Sequence, residues 1–363
     1  MKPEVRQPDK LQHNKTVTTL TFVTIGIEYP LVEVLKLKIF FYSLREYDEL
    51  DFCKKYSQSM GIDFGYTAEY PNADNYDLAA GCEGISATPC DFSAPVLEEF
   101  HKRGVRYILC RSIGYDHVDL QKAKELGMRV SNVTYPPSGV ANYAIMLMMM
   151  ACRKAELILR MAGMQNYSLK GKIGRDISNC TIGVIGTGKI GATVIRHLSS
   201  FGCRILAYDL HQNPSVQEIA EYVSLDQLFA EADIITLHTN ANDSNYHLLN
   251  EQAFSKMKKG VIIVNTARGK LIDTEALVHA LEDGQVGGAA LDVLEHEDGL
   301  YYYDRTGEVI SNPYLSILRS YPNVILSPHT AFYTMEDVDD MVKGCFESFQ
   351  AFVQNLPTEH EVR

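Results

Sequence analysis

A regular alternation of short β-rich runs and helical runs constrains the fold of this chain more than any other feature. The clearest series starts at Thr181 and contains the runs TIGVIG, RILAYD, DIITLHT, VIIVNT, GAALDV and NVILSP. Strands that alternate with helices are joined by crossover connections, and these produce a mainly parallel sheet. Six strands of this kind are enough for one complete doubly wound sheet.

A similar series precedes this one, with the strand-like runs KIFFYS, GISAT, VRYILC and MRVSNV. Helical runs between them, such as PVLEEFHKRG and DLQKAKELG, end in Gly, which is a common helix stop. The tandem prolines of TYPPSGV separate the two series, because they cannot lie inside a helix. We therefore predict an α/β fold with two Rossmann-like, doubly wound parallel-sheet domains and a cleft between them.

The same patterns set the expected domain boundaries. Residues 1–35 are polar, then Thr-rich, then broken by a proline, and we interpret them as an N-terminal extension. Residues 36–134 form the first domain, the substrate domain, and residues 135–330 form the second, which begins with a helix over about 140–162. Residues 331–363 contain the helical run EDVDDMVKGCFESFQAFVQ and return to the first domain, which is therefore discontinuous.

Composition limits the partners of the chain. A net charge of −12 argues against nucleic acid or an anionic membrane as the main partner, since both need clustered Lys and Arg. A small anionic substrate remains compatible, because it needs only one or two cations. The eight cysteines are scattered without zinc spacing, so we expect no metal site and reduced thiols in a cytoplasmic protein. No apolar run reaches the ~18–20 residues of a membrane span.

The first strand of the second series runs into a glycine-rich turn and a helix. The turn has the GxGxxG pattern, in which the glycines allow a tight turn, a close approach of a pyrophosphate and close packing of helix on strand. Asp209 closes the next strand, where it can bind both ribose hydroxyls and repel a 2′-phosphate, so NAD is favoured over NADP. The predicted cofactor contacts here are Gly186, Gly188, Lys189, Ile190, Gly191 and Asp209.

Further strand ends in the same domain carry reactive side chains. Arg268 follows VIIVNT, Asp292 and Glu297 follow GAAL, and His329 follows NVIL. The carboxyl ends of parallel strands share one edge of a sheet, and ligands bind there. We therefore expect these side chains to meet at the cofactor.

These residue types suit the reduction of a 2-keto acid by a hydride donor. His329 as imidazolium can give a proton to the carbonyl oxygen, and Glu297 would hold the ring and favour its charged form. Arg268 can bind the substrate with fixed donors and a permanent charge. His238 and His296 are rival proton donors. We rank them below His329, because His296 lies in an acidic loop and His238 lies in a turn on the cofactor side.

Four motifs, GVIGTGKIG, VNTARGKLIDTEAL, GGAALDVLEHE and NVILSPHTAFYT, resemble the D-isomer-specific 2-hydroxyacid dehydrogenase family, over about residues 38–354. The resemblance implies that Arg268 binds substrate, that His329 is the acid/base and that Glu297 is its carboxylate partner. It also implies further contacts. On the cofactor side these are Asn245, Thr266, Ala267, Arg268 and Asp292, the last near the nicotinamide carboxamide. We also expect cofactor contacts from Thr239 and Asn240 in the LHT turn, although Asn240 replaces the proline that is usual in the family. On the substrate side they are Arg111, Ile113, Gly114, Tyr135 and Phe332.

The segments PHTAFYT and EDGLYYYDRTGEVISNPYLSIL resemble the D-lactate dehydrogenase branch of that family. This implies a small, partly apolar pocket for pyruvate, and a homodimer. Two alternatives stay open. One is a broader D-2-hydroxyacid dehydrogenase that acts on branched or aromatic 2-keto acids. The other is a binding protein that senses NADH without catalysis, since the fold serves both purposes.

Overall fold

The computed structural model describes residues 37–297 and 299–362. These residues divide into two compact units. Among the described residues, the first unit contains 37–135 and 334–362, and the second contains Pro136–Tyr333 except for residue 298. The predicted N-terminal extension lies outside the described residues.

The first unit is built on a six-stranded sheet. Its strands are β1 (Lys38–Phe41), β2 (Asp63–Tyr66), β3 (Gly84–Ala87), β4 (Tyr107–Cys110), β5 (Arg129–Ser131) and β13 (Glu361–Val362). Their order is β13-β5-β4-β3-β1-β2. All neighbours are parallel except β13, which pairs antiparallel with β5. The predicted α/β class is confirmed, but this sheet is mixed rather than wholly parallel.

Four helices cover this sheet: α1 (Leu50–Met60), α2 (Ala94–Lys102), α3 (Leu120–Glu125) and α11 (Met335–Val353). The last one comes from the C-terminal part of the chain and packs closely on the strands. A Cβ atom built at Gly84 in β3 would lie 2.8 Å from the ring of Phe349 in α11, and that ring is fully buried. The absence of a side chain at Gly84 therefore lets the returning helix lie directly on the sheet.

The second unit contains a seven-stranded, wholly parallel sheet. Its strands are β6 (Thr181–Ile185), β7 (Arg204–Tyr208), β8 (Glu221–Tyr222), β9 (Ile234–Leu237), β10 (Val261–Asn265), β11 (Val286–Leu291) and β12 (Val324–Leu326). Their order is β12-β11-β10-β9-β6-β7-β8. The chain winds outward from β6 to β8 and then returns to β9 on the other side of β6. The strand order thus reverses between β6 and β9, and in such sheets the ligand binds at the carboxyl ends beside this point.

The helices of the second unit are α4 (Ser138–Cys152), α5 (Ala155–Gly163), α6 (Lys189–Leu198), α7 (Leu225–Glu231), α8 (Glu251–Ser255), α9 (Thr274–Glu282) and α10 (Pro313–Ser320). The single helix predicted over 140–162 is wrong. Two helices form instead, because Lys154 takes a left-handed backbone conformation with a φ of +51° and interrupts the hydrogen-bond ladder.

Across residues 37–362, with 298 left out, every helix is too short or too polar to span a bilayer. The same residues include all eight cysteines, and each is a free thiol. They contain no group of three or more His, Cys, Asp or Glu side chains suited to a metal ion.

Candidate active site

The turn between β6 and α6 holds the three glycines of the nucleotide-binding motif. Gly186 has a φ of +92°, and a Cβ atom built there would lie 2.5 Å from the carbonyl oxygen of His238. A Cβ atom at Gly191 would collide with the carbonyl oxygen of Gly186, because α6 packs directly on the end of β6. Apart from its chain neighbours, no described residue lies within 4 Å of a Cβ atom built at Gly188, so the turn is open on that side. This is the backbone cradle that a diphosphate needs.

The first turn of α6 follows this cradle immediately. Lys189 begins the helix and is exposed, and Ile190 is partly buried. The first backbone N–H groups of a helix have no partners within the helix and carry partial positive charge. The sequence predicts that Lys189 and Ile190 lie beside a diphosphate, and their position at the start of α6 is compatible with that prediction.

Asp209 stands just after β7 and is bound to the glycine turn. Its Oδ2 accepts hydrogen bonds from the amide of Thr187 at 2.6 Å and from the Thr187 hydroxyl at 3.1 Å, and its Oδ1 accepts from the amide of His211 at 2.9 Å. Burial alone would raise the pKa of Asp209, but the donors on Thr187 and His211 outweigh it and hold the pKa below its ordinary value. Asp209 is therefore an anion at the sheet edge where a ribose would lie.

Sequence reasoning missed a second support of this turn, Tyr222 on β8. Its hydroxyl donates to the hydroxyl oxygen of Thr187 at 2.8 Å and accepts from the amide of Asn213, also at 2.8 Å. The side chain of Asn213 in turn donates to the carbonyl oxygen of Thr187 at 2.9 Å. A strand of two residues carries no readable periodicity, so no sequence signal pointed to Tyr222.

The residues present fit a bound dinucleotide. Gly186 leaves no room for a side chain, and Asp209 is ionised. The hydroxyl oxygen of Thr266, just past β10, is buried and has no hydrogen-bond partner among the described residues. A buried polar atom without a partner costs about 1–3 kcal/mol, so a ligand group that bonds to it is favoured. Ala267 follows Thr266 and is partly buried.

The loop after β9 contains three of the predicted cofactor residues, and its polar groups bond within the loop. The side chain of Asn245 donates to the carbonyl oxygen of Asn240 at 2.7 Å and accepts from the amide of Asn242 at 2.8 Å. The hydroxyl of Thr239 is 3.4 Å from the same Asn240 oxygen. Asn245 therefore shapes the loop that carries Thr239 and Asn240.

Arg268 is held by a turn that the sequence analysis did not identify. Asn265, the fully buried last residue of β10, accepts from the amide of Ala267 at 2.9 Å and donates to the carbonyl oxygen of Arg268 at 2.8 Å. The Arg268 guanidinium donates to the carbonyl oxygen of Ala267 at 2.8 Å and is partly buried. An Asn at a strand end commonly bonds to the backbone two residues on, and this could have been the signal.

His329 and Glu297 lie in direct contact. Nδ1 of His329 is 2.6 Å from Oε1 of Glu297, and 26% and 20% of the two side chains are exposed, so both are reachable by a small molecule. The second oxygen of Glu297 accepts from the amide of Leu294 at 2.8 Å. Because a carboxylate only accepts, Nδ1 carries a proton, and Nε2 has no hydrogen-bond partner among the described residues. Nε2 is thus the nitrogen left to exchange a proton.

Asp292 holds the turn on which His329 sits. It is fully buried, and its Oδ1 accepts from the hydroxyl of Ser327 at 2.6 Å and from the amide of Thr330 at 2.9 Å. Its Oδ2 accepts from the amide of Ala331 at 2.8 Å, and its carbonyl oxygen accepts from the amide of His329 at 2.7 Å. These bonds fix His329 in a left-handed conformation with a φ of +54°. A contact from Asp292 to the nicotinamide stays a prediction.

Aromatic rings surround His329. The ring of Tyr302 is centred 5.9 Å from the imidazole, and the ring of Phe332 is centred 6.3 Å from it. The Tyr302 hydroxyl donates to the carbonyl oxygen of His329 at 3.1 Å. Phe332 was a predicted substrate contact, whereas Tyr302 was missed, although it belongs to the three-tyrosine run at 301–303.

The rival histidines differ from His329 in their surroundings. Burial lowers the pKa of His238 to about 3, so this ring is neutral near pH 7 and cannot act as a general acid. Its Nε2 is 2.9 Å from the hydroxyl of Thr236. His296 is exposed. Of the three histidines, His329 has a partly buried carboxylate partner, Glu297, and its role as the proton donor stays a prediction.

The first unit carries the remaining predicted residues on the loop after β4. The carbonyl oxygen of Ile113 accepts from the Asn132 side chain at 2.8 Å, and that of Gly114 accepts from the Ser112 hydroxyl at 2.6 Å. The amide N–H groups of Ile113 and Gly114 have no partner among the described residues. Tyr135 is partly buried and is the last residue of the first unit before the chain enters the second unit.

Arg111 needs a correction. Its side chain is fully buried, its Nε lies 3.1 Å from Glu49, and its terminal nitrogens donate to the carbonyl oxygens of Tyr42 and Ser43 and to the hydroxyl of Ser86. The guanidinium therefore bonds to groups inside the unit, and as a fully buried side chain it is not presented to a ligand. The buried Arg111 side chain stands at the start of the loop that carries Ile113 and Gly114.

The second unit thus combines a dinucleotide cradle with a carboxylate-bound histidine at the same sheet edge, as in nicotinamide-dependent dehydrogenases. Residues 145–331 match the family model described as the D-isomer specific 2-hydroxyacid dehydrogenase, NAD binding domain. The chain is 39% identical over 321 residues to the aromatic 2-oxoacid reductase of Clostridium sporogenes, which covers 87% of this chain and 96% of that protein. It is 41% identical over 307 residues to the D-lactate dehydrogenase of Escherichia coli, and the match covers 83% of this chain and 92% of that protein.

A solved structure of the pyruvate reductase of Chlamydomonas reinhardtii superposes with a TM-score of 0.83 at 36% identity, over 90% of this chain and 99% of that one. The chain therefore belongs to the D-isomer specific 2-hydroxyacid dehydrogenase family. It is an oxidoreductase that uses NAD, and its residues 145–331 carry the NAD-binding domain.

Proposed function

We propose that this enzyme is a D-lactate dehydrogenase, which reversibly reduces pyruvate to D-lactate with NADH. The observation that carries the proposal is the 2.6 Å contact between Nδ1 of His329 and Oε1 of Glu297. The similarity to a D-lactate dehydrogenase and to a pyruvate reductase supports this choice of substrate.

The proposed chemistry needs a hydride, a proton and a bound anion. NADH supplies the hydride when it is bound. Nε2 of His329 gives the proton to the carbonyl oxygen and takes it back in the reverse direction. Glu297 stabilises the charged imidazole and fixes the ring, because the carboxylate accepts from Nδ1.

Arg268 is proposed to bind the substrate's carboxylate and carbonyl oxygens. Its charge is permanent, and its donors are held in a planar fork that matches a carboxylate. The amide N–H groups of Ile113 and Gly114 in the first unit are proposed to bind the substrate carboxylate as well. Neutral donors of this kind add hydrogen bonds without a second full charge.

The first test is the variant His329→Ala, assayed by NADH absorbance after pyruvate is added. We expect turnover to fall by about 10²- to 10⁴-fold, because the general acid is removed. NADH binding, followed by fluorescence titration, should stay close to that of the unmodified enzyme. The exposed His279, also in the second unit, gives the matched control His279→Ala, which should leave both quantities unchanged. Near-normal turnover of His329→Ala would remove His329 from the role of acid/base.

A second candidate substrate class is larger, branched or aromatic 2-keto acids. The rings of Tyr302 and Phe332 beside His329 favour it, since aromatic side chains pair well with an aromatic substrate. The similarity to an aromatic 2-oxoacid reductase points in the same direction. Steady-state kcat/KM values for pyruvate, 2-ketoisocaproate and phenylpyruvate separate the two classes. If pyruvate is the poorest of the three, the lactate assignment fails.

We also propose a homodimer located in the cytoplasm. Met146 and Met149 on α4 and Leu159 on α5 are exposed, and α5 buries none of its residues within its own unit. Exposed apolar faces of this kind are typical of subunit contacts. Light scattering after size exclusion tests the dimer, and a monomeric mass at micromolar concentration would contradict it.

A further inference from the structure

We infer that His247 and Glu295 form a brace that positions the Arg268 and Glu297 segments relative to each other. The inference rests on the proposed function, in which Arg268 and Glu297 act on one substrate. Neither His247 nor Glu295 is itself placed at the reacting atoms, so both are positioning residues.

The brace is a direct contact between two loops of the second unit. Nε2 of His247 lies 2.7 Å from Oε1 of Glu295, and the two side chains are 25% and 11% exposed. The ring of Tyr246 stacks on the imidazole, with ring centres 3.9 Å apart and planes at 17°. His247 has a left-handed backbone with a φ of +52°, so a strained residue is kept where its ring can reach Glu295.

The second oxygen of Glu295 reaches a third segment. It accepts from the amide of Thr274 at 3.0 Å and from the Thr274 hydroxyl at 2.7 Å, at the start of α9. Burial would raise the pKa of Glu295, but the donors on His247 and Thr274 bring it below the ordinary value. Glu295 is thus an anion with both oxygens occupied, and ionised acceptors form the stronger hydrogen bonds.

The backbone around His247 is tied to the residues just after Arg268. The amide of His247 donates to the carbonyl oxygen of Lys270 at 2.9 Å, and the amide of Leu249 donates to that of Leu271 at 3.0 Å. Gly269 packs against the backbone of the Glu295 loop, where a Cβ atom would lie 2.5 Å from the Glu295 amide nitrogen.

The consequence follows from chain connectivity. Arg268 immediately precedes Gly269, and Glu297 follows Glu295 by two residues. When Glu295 is fixed to His247 and Thr274, the loops that carry the substrate-binding cation and the histidine's partner cannot shift independently. Misplacement of a catalytic group by about 1 Å can cost up to about 10²-fold in rate, so the brace has a measurable kinetic effect.

Asp273 is the other carboxylate beside His247, with Oδ2 at 3.5 Å from Nδ1. Its Oδ1 accepts from the amide of Ala276 at 3.0 Å and caps α9. This longer contact joins the same segment as Thr274, so it reinforces the brace and does not compete with it.

The test compares His247→Ala, His247→Gln, Glu295→Ala and the double variant His247→Ala/Glu295→Ala, with His279→Ala as control. We expect His247→Ala and Glu295→Ala each to lower kcat/KM for the 2-keto acid by about 10- to 100-fold. NADH affinity should change by less than about threefold, because the glycine turn and Asp209 are untouched, whereas general misfolding would weaken both. His247→Gln keeps a donor for Glu295 and should recover most of the loss.

The double variant decides whether the two side chains act as one unit. We expect the kcat/KM of the double variant to fall by the same factor as that of the more impaired single variant. If the two residues acted independently, the two fold-losses in kcat/KM would multiply. A kcat/KM for His247→Ala within about twofold of the unmodified enzyme would overturn the inference, as would failure of His247→Gln to recover activity.

The thermal unfolding midpoints of the same variants give a double-mutant cycle that can be measured without any enzyme activity. Each single variant is expected to lower the midpoint by about 2–8 °C, and the double variant by no more than the worse single one. If the unmodified enzyme reduces no 2-keto acid, the proposed function fails. The brace is then judged by this cycle, where additive losses would overturn it.

Discussion

The replacement Asp292→Asn tests whether the turn that carries His329 depends on a buried carboxylate. Both oxygens of Asp292 accept hydrogen bonds, from the side chain of Ser327 and the amide of Thr330 on one side and from the amide of Ala331 on the other. An Asn has one oxygen and one NH₂ group. Whichever way it is oriented, an NH₂ group faces an amide donor, and at least one buried N–H loses its acceptor.

The expected magnitude follows from these bonds. Hydrogen bonds to a charged group contribute about 1.5–3 kcal/mol, and a buried donor left without a partner costs about 1–3 kcal/mol. The two ranges partly count the same lost hydrogen bond, so they are not simply added. We expect Asp292→Asn to lower the free energy of unfolding by about 2–4 kcal/mol. In a unit of this size, this corresponds to a midpoint lower by about 4–16 °C.

The assay combines thermal unfolding, turnover and NADH titration. The turn is expected to loosen around His329, so kcat should fall by about 10- to 100-fold while NADH affinity is nearly kept. The exposed Asp226 supplies the control Asp226→Asn, which should change stability by less than about 0.5 kcal/mol. An unchanged midpoint with a large loss of NADH affinity would refute the reasoning and favour the nicotinamide contact that the family resemblance implies.

Three further predictions concern the cofactor side. Gly186→Ala places a Cβ atom 2.5 Å from the carbonyl oxygen of His238 at a φ of +92°, so we expect NADH affinity by fluorescence titration to fall by about tenfold or more. Tyr222→Phe removes the donor to Thr187 and should cost about 1 kcal/mol, measured by urea unfolding. Burial holds the pKa of His238 at about 3 in the folded chain, far below the ordinary 6.5. Between pH 6.5 and pH 3 the unfolded chain therefore binds a proton at this residue that the folded chain does not, so the stability falls as the pH drops through this range. The slope from this residue is at most about 1.4 kcal/mol per pH unit, and a His238→Gln variant should show a shallower loss between pH 6.5 and 4.

The fold was predictable where a strand or helix is long enough to show a pattern. The run VIIV is apolar because β10 is buried along its whole length, and the glycine turn marks the end of β6. The strands β8 and β13 have two residues each, so only pairing with neighbouring strands defines them. The sequence around the break at Lys154 contains no Gly or Pro that would predict the end of a helix. The left-handed backbone conformation of Lys154 depends instead on its tertiary surroundings.

The site was predictable to the extent that strand ends point to it. Arg268 and His329 were found because each lies on the loop just past a mainly apolar strand. Tyr222 and His247 were missed, because their partners lie on other loops and no local pattern reports a contact across the sheet edge. Asn265 was also missed, although it bonds to its own loop and its place at a strand end was a usable signal. The error at Arg111 has another origin: an arginine was expected to face a ligand, whereas Glu49 and nearby backbone oxygens satisfy it inside the unit.

The acidic loop after β11 shows how one short segment can organise a site. Its three described carboxylates each address a different partner: Asp292 holds the turn of His329, Glu295 holds His247 and the start of α9, and Glu297 accepts from the His329 ring. Asp292 and Glu295 have both oxygens occupied by fixed donors, so neither can turn towards the imidazole. Glu297 uses one oxygen on the backbone of its own loop, which leaves the other at a defined place for Nδ1. Glu297 thus contacts the ring of His329 and Asp292 holds its turn, whereas Glu295 acts on the ring only through the proposed brace, and loss of either Asp292 or Glu295 should change turnover more than NADH affinity.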